Sequence, residues 1–298
     1  MGRVRGRRLG PVLAVGCVLA ATACSSSVDP AAGSAPGTAT VSPSDGSESS
    51  GDYLALGDSV PFGFRSGADP ASYQDPTAFV GYPELLADDL GLAVLNAACP
   101  GETTQSFIDA TAQSNGCEDT LSSDVGFRTA FPLHVDYDSA DQAQLDYAVH
   151  AVQRDDDVEL VTLQVGANDA FLCQQTTADR CQAEVGTVAT TVRRNVDHIL
   201  ATLRGPGGYD GTIVVVTYYA LDYSGWEAAA TRLLDDVLAE AAGANDALVA
   251  DGYEAFRPAA EAAGGSSVAA GLVLPNDVHP SAEGQRLLAD AVAAVVPD

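Results

Sequence analysis

Two apolar runs constrain this chain more than anything else in it. Residues 158–165 (Val-Glu-Leu-Val-Thr-Leu-Gln-Val) and 212–218 (Thr-Ile-Val-Val-Val-Thr-Tyr) are nearly continuous in hydrophobicity rather than alternating. Strands of that kind are covered on both faces. Between them, Val185, Val188, Val192, Val196, Ile199 and Leu203 recur at spacings of three or four, the period of an amphipathic helix. The same alternation extends along the chain. Further strands are expected at 53–56, 93–96 and 247–250, and helices at 78–90, 143–154, 184–203, 226–242, 253–263 and 282–295. Alternating strands and helices argue one three-layer α/β/α domain over residues 52–298, with a mainly parallel sheet. No internal repeat is visible.

The beginning of the chain is different. Arg3, Arg5, Arg7 and Arg8 precede a short apolar stretch at 11–21, the layout of an export signal over residues 1–23. Ala21-Thr22-Ala23-Cys24 resembles the lipobox of bacterial lipoproteins, with Ala21 where that motif usually has Leu. Cys24 is therefore the expected lipidation site, and a plain secretory cleavage near Ala23 is the alternative. Residues 24–51 are rich in Ser, Gly, Pro, Ala and Thr and lack apolar periodicity, so a flexible tether is expected there.

The chain carries 41 acidic residues against 14 basic ones, a net charge of -27, and has no lysine. Such a surface repels phosphate backbones and excludes nucleic acid as a partner. Membrane contact is expected only through the N-terminal anchor, and the protein is expected to be an exported monomer.

Of six cysteines, Cys17 lies in the signal and Cys24 at the anchor. Cys99, Cys117, Cys173 and Cys181 remain, enough for two disulfides in an exported chain. Three connectivities are possible. Cys99–Cys117 with Cys173–Cys181 is favoured because each pair brackets a loop-like stretch. Metal binding is a poor reading, since no pair has C-x-x-C spacing and no nearby His completes a site.

Four short segments carry residues with chemical potential. Tyr53-Leu54-Ala55-Leu56-Gly57-Asp58-Ser59 is a strand ending at a glycine, with a serine two positions on. Asn96-Ala97-Ala98-Cys99-Pro100-Gly101-Glu102-Thr103 puts Gly101 in a turn after a strand. Gly166-Ala167-Asn168-Asp169 follows the most hydrophobic strand and offers the Asn168 amide. Asn276-Asp277-Val278-His279-Pro280 precedes the last helix, and His279 alone among the four histidines sits in a loop directly before a helix. Taken singly, each has an ordinary structural explanation as a turn or a helix cap.

Together, in this order, the segments resemble the four blocks of the SGNH (GDSL-type) hydrolases, with Ser59, Gly101, Asn168 and His279 at the named positions. They span nearly the whole folded region. The cysteine arrangement is similar to that of secreted actinobacterial lipase and esterase members. The resemblance implies a flavodoxin-like fold, no metal and no cofactor. It also implies an ester hydrolase in which Ser59 attacks, His279 acts as base, and the N–H groups of Ser59 and Gly101 with the Asn168 side chain form an oxyanion hole. The G-x-S-x-G elbow of other α/β hydrolases is absent.

One position departs from the family pattern. The acid that orients the histidine usually lies three residues before it, where this chain has Asn276. The nearest acid is Asp277, so either Asp277 or a backbone carbonyl is expected to orient His279. The expected substrate is a neutral small-molecule or lipid acyl ester, with Tyr218, Tyr219, Phe62 and Phe64 as candidate walls of an acyl pocket. A carbohydrate O-deacetylase, or a non-catalytic surface lipoprotein binding glycans or lipids, is the alternative.

Overall fold

The computed structural model describes residues 51–297. The signal-like stretch 1–23, Cys24 and residues 24–50 of the expected tether lie outside the described residues. Five strands form one sheet: β1 (Asp52–Gly57), β2 (Ala93–Asn96), β3 (Val158–Gln164), β4 (Thr212–Val216) and β5 (Leu248–Ala250). Their order is β2-β1-β3-β4-β5, and every pairing is parallel. The helices are α1 (Tyr82–Leu90), α2 (Thr104–Ile108), α3 (Phe127–Ala130), α4 (Gln144–Arg154), α5 (Ala167–Thr176), α6 (Val185–Arg204), α7 (Gly225–Ala244), α8 (Gly252–Ala262) and α9 (Ala282–Ala293). Helices α1, α8 and α9 pack together on one face; α4, α6 and α7 pack together on the other. Among the described residues no helix is long and apolar enough to cross a membrane.

The apolar runs explain this layering. In β1, Tyr53, Leu54, Ala55 and Leu56 are fully buried; Leu160, Val161 and Leu163 of β3 and Ile213 to Val216 of β4 join them. The stripe read from α6 faces them through Val192, Val196, Ile199 and Leu203. Burying a sheet on both faces supplies most of the driving force for such a domain.

The strand order has a consequence for function. From β1 the chain turns one way to β2, then returns past β1 to β3 on the other side. This reversal opens a crevice at the carboxyl ends of β1 and β3, where ligands bind in open α/β sheets.

Some boundaries differ from the sequence expectation. Helix α1 starts at Tyr82 rather than residue 78, because the Gly81 N–H is held by Glu84 at 2.7 Å and Pro83 sits in the first turn. Residues 76–78 form a separate 3-10 turn. The strands expected at 158–165 and 212–218 end at Gln164 and Val216. Helices α2, α3 and α5 were not foreseen. In α5 only Asn168 is buried, so it has no apolar stripe to read.

Candidate active site

Strand β1 ends at Gly57, at φ 136°. A Cβ there would lie 2.0 Å from the Gln164 carbonyl oxygen, so only glycine lets β1 and β3 finish side by side. The Gln144 side chain pins this peptide from both sides. Its Oε1 accepts from the Gly57 N–H at 2.6 Å and its Nε2 donates to the Gly57 carbonyl at 3.0 Å. The next residue, Asp58, turns inward and is buried. Its carboxylate accepts from the Val60 N–H (3.0 Å) and the Tyr218 hydroxyl (2.6 Å). Burial pushes this carboxyl up to about 7, against the pull of those two hydrogen bonds. Ser59 is left facing the crevice.

The loop before α9 brings His279 to it. His279 Nε2 lies 3.0 Å from Ser59 Oγ, and His279 Nδ1 lies 2.5 Å from Asp277 Oδ1. A carboxylate, not a carbonyl, therefore meets the ring. The backbone makes this possible at Asn276, which adopts φ 58°, a left-handed turn that asparagine tolerates. The carboxylate is fixed in turn. Its Oδ2 accepts from the Ser66 N–H at 2.9 Å and its Oδ1 from the Val278 N–H at 2.7 Å. Burial works to raise the Asp277 carboxyl, but the Ser66 hydrogen bond and the neighbouring imidazole outweigh it and hold the group below its ordinary value. Burial pulls the His279 imidazole below its ordinary value, although Asp277 opposes this. At neutral pH the pair is thus a carboxylate beside a neutral ring.

Gly101 follows β2 at φ 89°, and a Cβ on it would lie 2.6 Å from the Gly116 Cα. Among the described residues, neither the Ser59 nor the Gly101 N–H donates to another backbone carbonyl or side chain. Asn168 stands in the first turn of α5, buried, with Nδ2 donating to the Glu102 carbonyl at 3.0 Å and lying 3.5 Å from Asp58 Oδ2. Its neighbour Asp169 reaches across to α2. It accepts from the Thr104 N–H (2.9 Å) and hydroxyl (2.6 Å), tying α5 to α2. Burial raises the Asp169 carboxyl to about 6, less the effect of those bonds.

A cleft of about 290 Å³ opens from Ser59, Asn168 and His279 and runs between α5, α6 and α7. Its walls are mainly apolar, including Phe171, Val188, Leu221, Trp226 and Leu234, with Gln174, Arg180 and Glu227 also lining it. Tyr218 and Tyr219 line it. Phe62 and Phe64 do not, which corrects the expectation placed on them. They join an aromatic cluster with Phe79 and Phe127, where Phe64 presses on the His279 ring at 4.9 Å. Phe64 thus supports the base rather than the substrate, while Phe62 packs on Phe79, Phe127 and His134.

The cysteines pair as Cys99–Cys117 and Cys173–Cys181. The first closes the loop that carries Gly101; the second borders the cleft. The groupings with ligand-like spacing, Cys99/Glu102/Cys117 and Cys173/Cys181/Glu184, have their sulfurs in these bonds.

Several supports escaped sequence reasoning. Gln144 falls within the expected helix at 143–154 with no further signal, and nothing in the sequence singles out Ser66. Asn115 donates to Asn168 Oδ1 at 2.9 Å, yet Ser114-Asn115-Gly116 has ordinary turn composition. The one available hint was its position inside the Cys99–Cys117 bracket.

Fold and site together define a three-layer α/β protein with a serine, an imidazole and a carboxylate in hydrogen-bonded sequence at the switch-point crevice. The profile of the GDSL-like lipase/acylhydrolase family matches residues 55–287, and the chain belongs to that family. It is an ester-hydrolysing enzyme. Solved structures agree on the fold. A phospholipase A1 from Streptomyces albidoflavus NA297 is similar at TM-score 0.54 and 19% identity, with 83% of this chain and 100% of that chain covered. An extracellular lipase from Streptomyces rimosus gives the same values. Axe2, an acetylxylan esterase from Geobacillus stearothermophilus, is similar at TM-score 0.52 and 16% identity, covering 83% of this chain and 94% of that one. No curated protein matches the sequence.

Proposed function

We propose that this chain is an exported serine esterase or lipase that holds the acyl group of its substrate in the cleft between α5, α6 and α7. The observation that carries the reading is His279 bridging Ser59 Oγ and Asp277 at the mouth of an apolar cleft. As Ser59 Oγ attacks the ester carbonyl carbon, its proton passes to His279 Nε2. Negative charge moves onto the carbonyl oxygen, where the N–H groups of Ser59 and Gly101 and the Asn168 amide receive it. Collapse of the tetrahedral intermediate breaks the bond to the leaving alcohol, which takes the proton from His279. Water then repeats the sequence on the acyl-enzyme, with His279 again the base. Asp277 orients the imidazole and stabilises its charged form.

The mainly apolar lining favours an acyl chain longer than acetyl, since a deacetylase has little to bury there. Two disulfides support export to an oxidising compartment. Lipidation at Cys24 remains the reading of how the enzyme is tethered.

The test is hydrolysis of nitrophenyl esters from acetyl to palmitoyl, with Ser59→Ala beside the wild type. Activity that peaks beyond acetyl and disappears in Ser59→Ala is the expected result. Equal inertness of both proteins on every ester would overturn the reading. Activity confined to acetyl groups would move the assignment to a deacetylase.

A further inference from the structure

Asn168 has an amide that presents either its N–H or its oxygen to a substrate, depending on a rotation of half a turn. The hydrogen bonds decide which. The Glu102 backbone carbonyl can only accept, and Asn168 donates Nδ2 to it at 3.0 Å. That leaves Asn168 Oδ1 on the opposite side, where it accepts from Asn115 Nδ2 at 2.9 Å. With its Nδ2 so used, Asn115 turns its own Oδ1 outward to accept from Gln175 Nε2 at 2.9 Å. One backbone carbonyl thus sets the sense of three amides in series. Asn115 also donates its backbone N–H to the Gly101 carbonyl at 2.8 Å. Among the described residues it is the one that hydrogen-bonds both Gly101 and Asn168.

We infer that Asn115 is a positioning residue for the ester-hydrolysing reaction, locking the Asn168 amide so that the Nδ2 hydrogen not given to Glu102, which has only the long 3.5 Å contact with Asp58 Oδ2, is the one offered to the developing oxyanion. The inference rests on the reading of Asn168 as an oxyanion donor. Asn115 touches no substrate atom; it acts through Asn168. A donor held in place before reaction stabilises the transition state without a reorganisation cost, and does not change ground-state binding. Removing the lock therefore lowers kcat and leaves KM alone.

The experiment compares full-length wild type with Asn115→Ala, Asn115→Asp, Asn168→Ala and the Asn115→Ala/Asn168→Ala double variant on the nitrophenyl ester best hydrolysed by wild type. Loss of one oxyanion donor costs about 10²-fold to about 10³-fold in kcat. Asn115→Ala is expected to lose about tenfold, with KM unchanged. Asn115→Asp is expected to lose more, because a carboxylate facing Asn168 Oδ1 favours the flipped amide. The double variant should be no slower than Asn168→Ala alone, the non-additivity of residues acting as a unit. A purely structural role would multiply the two losses. Should Asn115→Ala fail to fold, Gln175→Glu is the substitute. Gln175 is exposed, and a carboxylate there repels Asn115 Oδ1 and biases the series toward the wrong sense, lowering kcat several-fold at constant KM.

Wild-type kcat in Asn115→Ala, a change in KM instead of kcat, or multiplicative losses in the double variant overturns the inference. If Asn168→Ala is itself fully active, the oxyanion reading falls and this one with it. If Asn168→Ala is slow and Asn115→Ala is not, only the positioning role falls.

Discussion

Asp277 and His279 meet side chain to side chain at 2.5 Å, although a single residue separates them. The contact depends on the left-handed turn at Asn276, and on the Ser66 and Val278 N–H groups that hold the carboxylate. Asp277→Asn keeps the size of the side chain but not its charge, and permits the wrong imidazole tautomer. We expect kcat to fall between about 10²-fold and about 10⁴-fold, with KM little changed. Steady-state kinetics on a nitrophenyl ester check this. A loss smaller than about fivefold would mean that Asp277 is a structural turn residue.

The pH profile follows from the same pair. His279 must be neutral to accept the Ser59 proton, and burial holds its folded pKa below the ordinary 6.5. Activity therefore rises with pH through a midpoint below 6.5 in kcat/KM, which reports the free enzyme. Asp277 raises the imidazole pKa, so Asp277→Asn should move the acid limb further down while lowering the plateau. A limb centred above 6.5 in wild type, or moving up in the variant, contradicts this electrostatic account.

How much was legible beforehand depended on whether a feature was periodic or positional. The doubly covered strands and α6 could be read because burial imposes a pattern on many residues at once. Ser59, Gly101, Asn168 and His279 were legible as blocks in order. Asp277 was legible only as one of two candidates beside a backbone carbonyl, because a single φ at Asn276 decides what it reaches. Helix α5 escaped for lack of an apolar stripe. Phe62 and Phe64 were misplaced because proximity to Ser59 in sequence says nothing about which side of the crevice a ring faces. Asn115 and Gln144 act through side chains that meet residues far away in sequence, at separations of 53 and 87.

The cleft makes a prediction about chain length. Ala230 lies on its wall, on α7. Ala230→Phe fills part of the roughly 290 Å³ with a ring, in a helix that tolerates it. We expect activity on decanoyl and longer esters to drop at least tenfold, while acetyl and butyryl esters keep most of theirs. Uniform loss across all lengths would show that the acyl chain lies elsewhere.

The two disulfides should differ in what they protect. Cys99–Cys117 closes 18 residues and Cys173–Cys181 closes 8. Chain-entropy estimates give about 3 kcal/mol for the first and somewhat less for the second. Only the first loop carries Gly101 and Asn115. Cys99→Ala/Cys117→Ala should therefore lower both Tm and kcat, whereas Cys173→Ala/Cys181→Ala should lower Tm and alter KM for long-chain esters. Denaturation and kinetics on the two double variants check the contrast, which fails if kcat responds equally to both.

Asp58 predicts an unusual stability profile. Its carboxyl titrates near 7 in the folded protein against an ordinary 3.8, because burial disfavours the charge more than Tyr218 and Val60 favour it. Between those two values the folded state binds more protons than the unfolded chain. Stability from this group is full below 3.8 and declines as pH rises through about 7, the reverse of a salt-bridged acid. The total is on the order of 4 kcal/mol at one pKa unit per 1.36 kcal/mol. Asp169, raised to about 6, contributes in the same direction but is present in both proteins to be compared. Asp58→Asn cannot ionise. Its own contribution at this position does not change with pH, and its amide cannot accept from both Val60 and Tyr218 as the two oxygens of Asp58 do. The difference in Tm between wild type and Asp58→Asn should therefore shift in favour of the variant from pH 5 to pH 8. A difference that stays flat across that range would mean that Asp58 is ionised in the fold throughout, held by Tyr218 more firmly than its burial opposes.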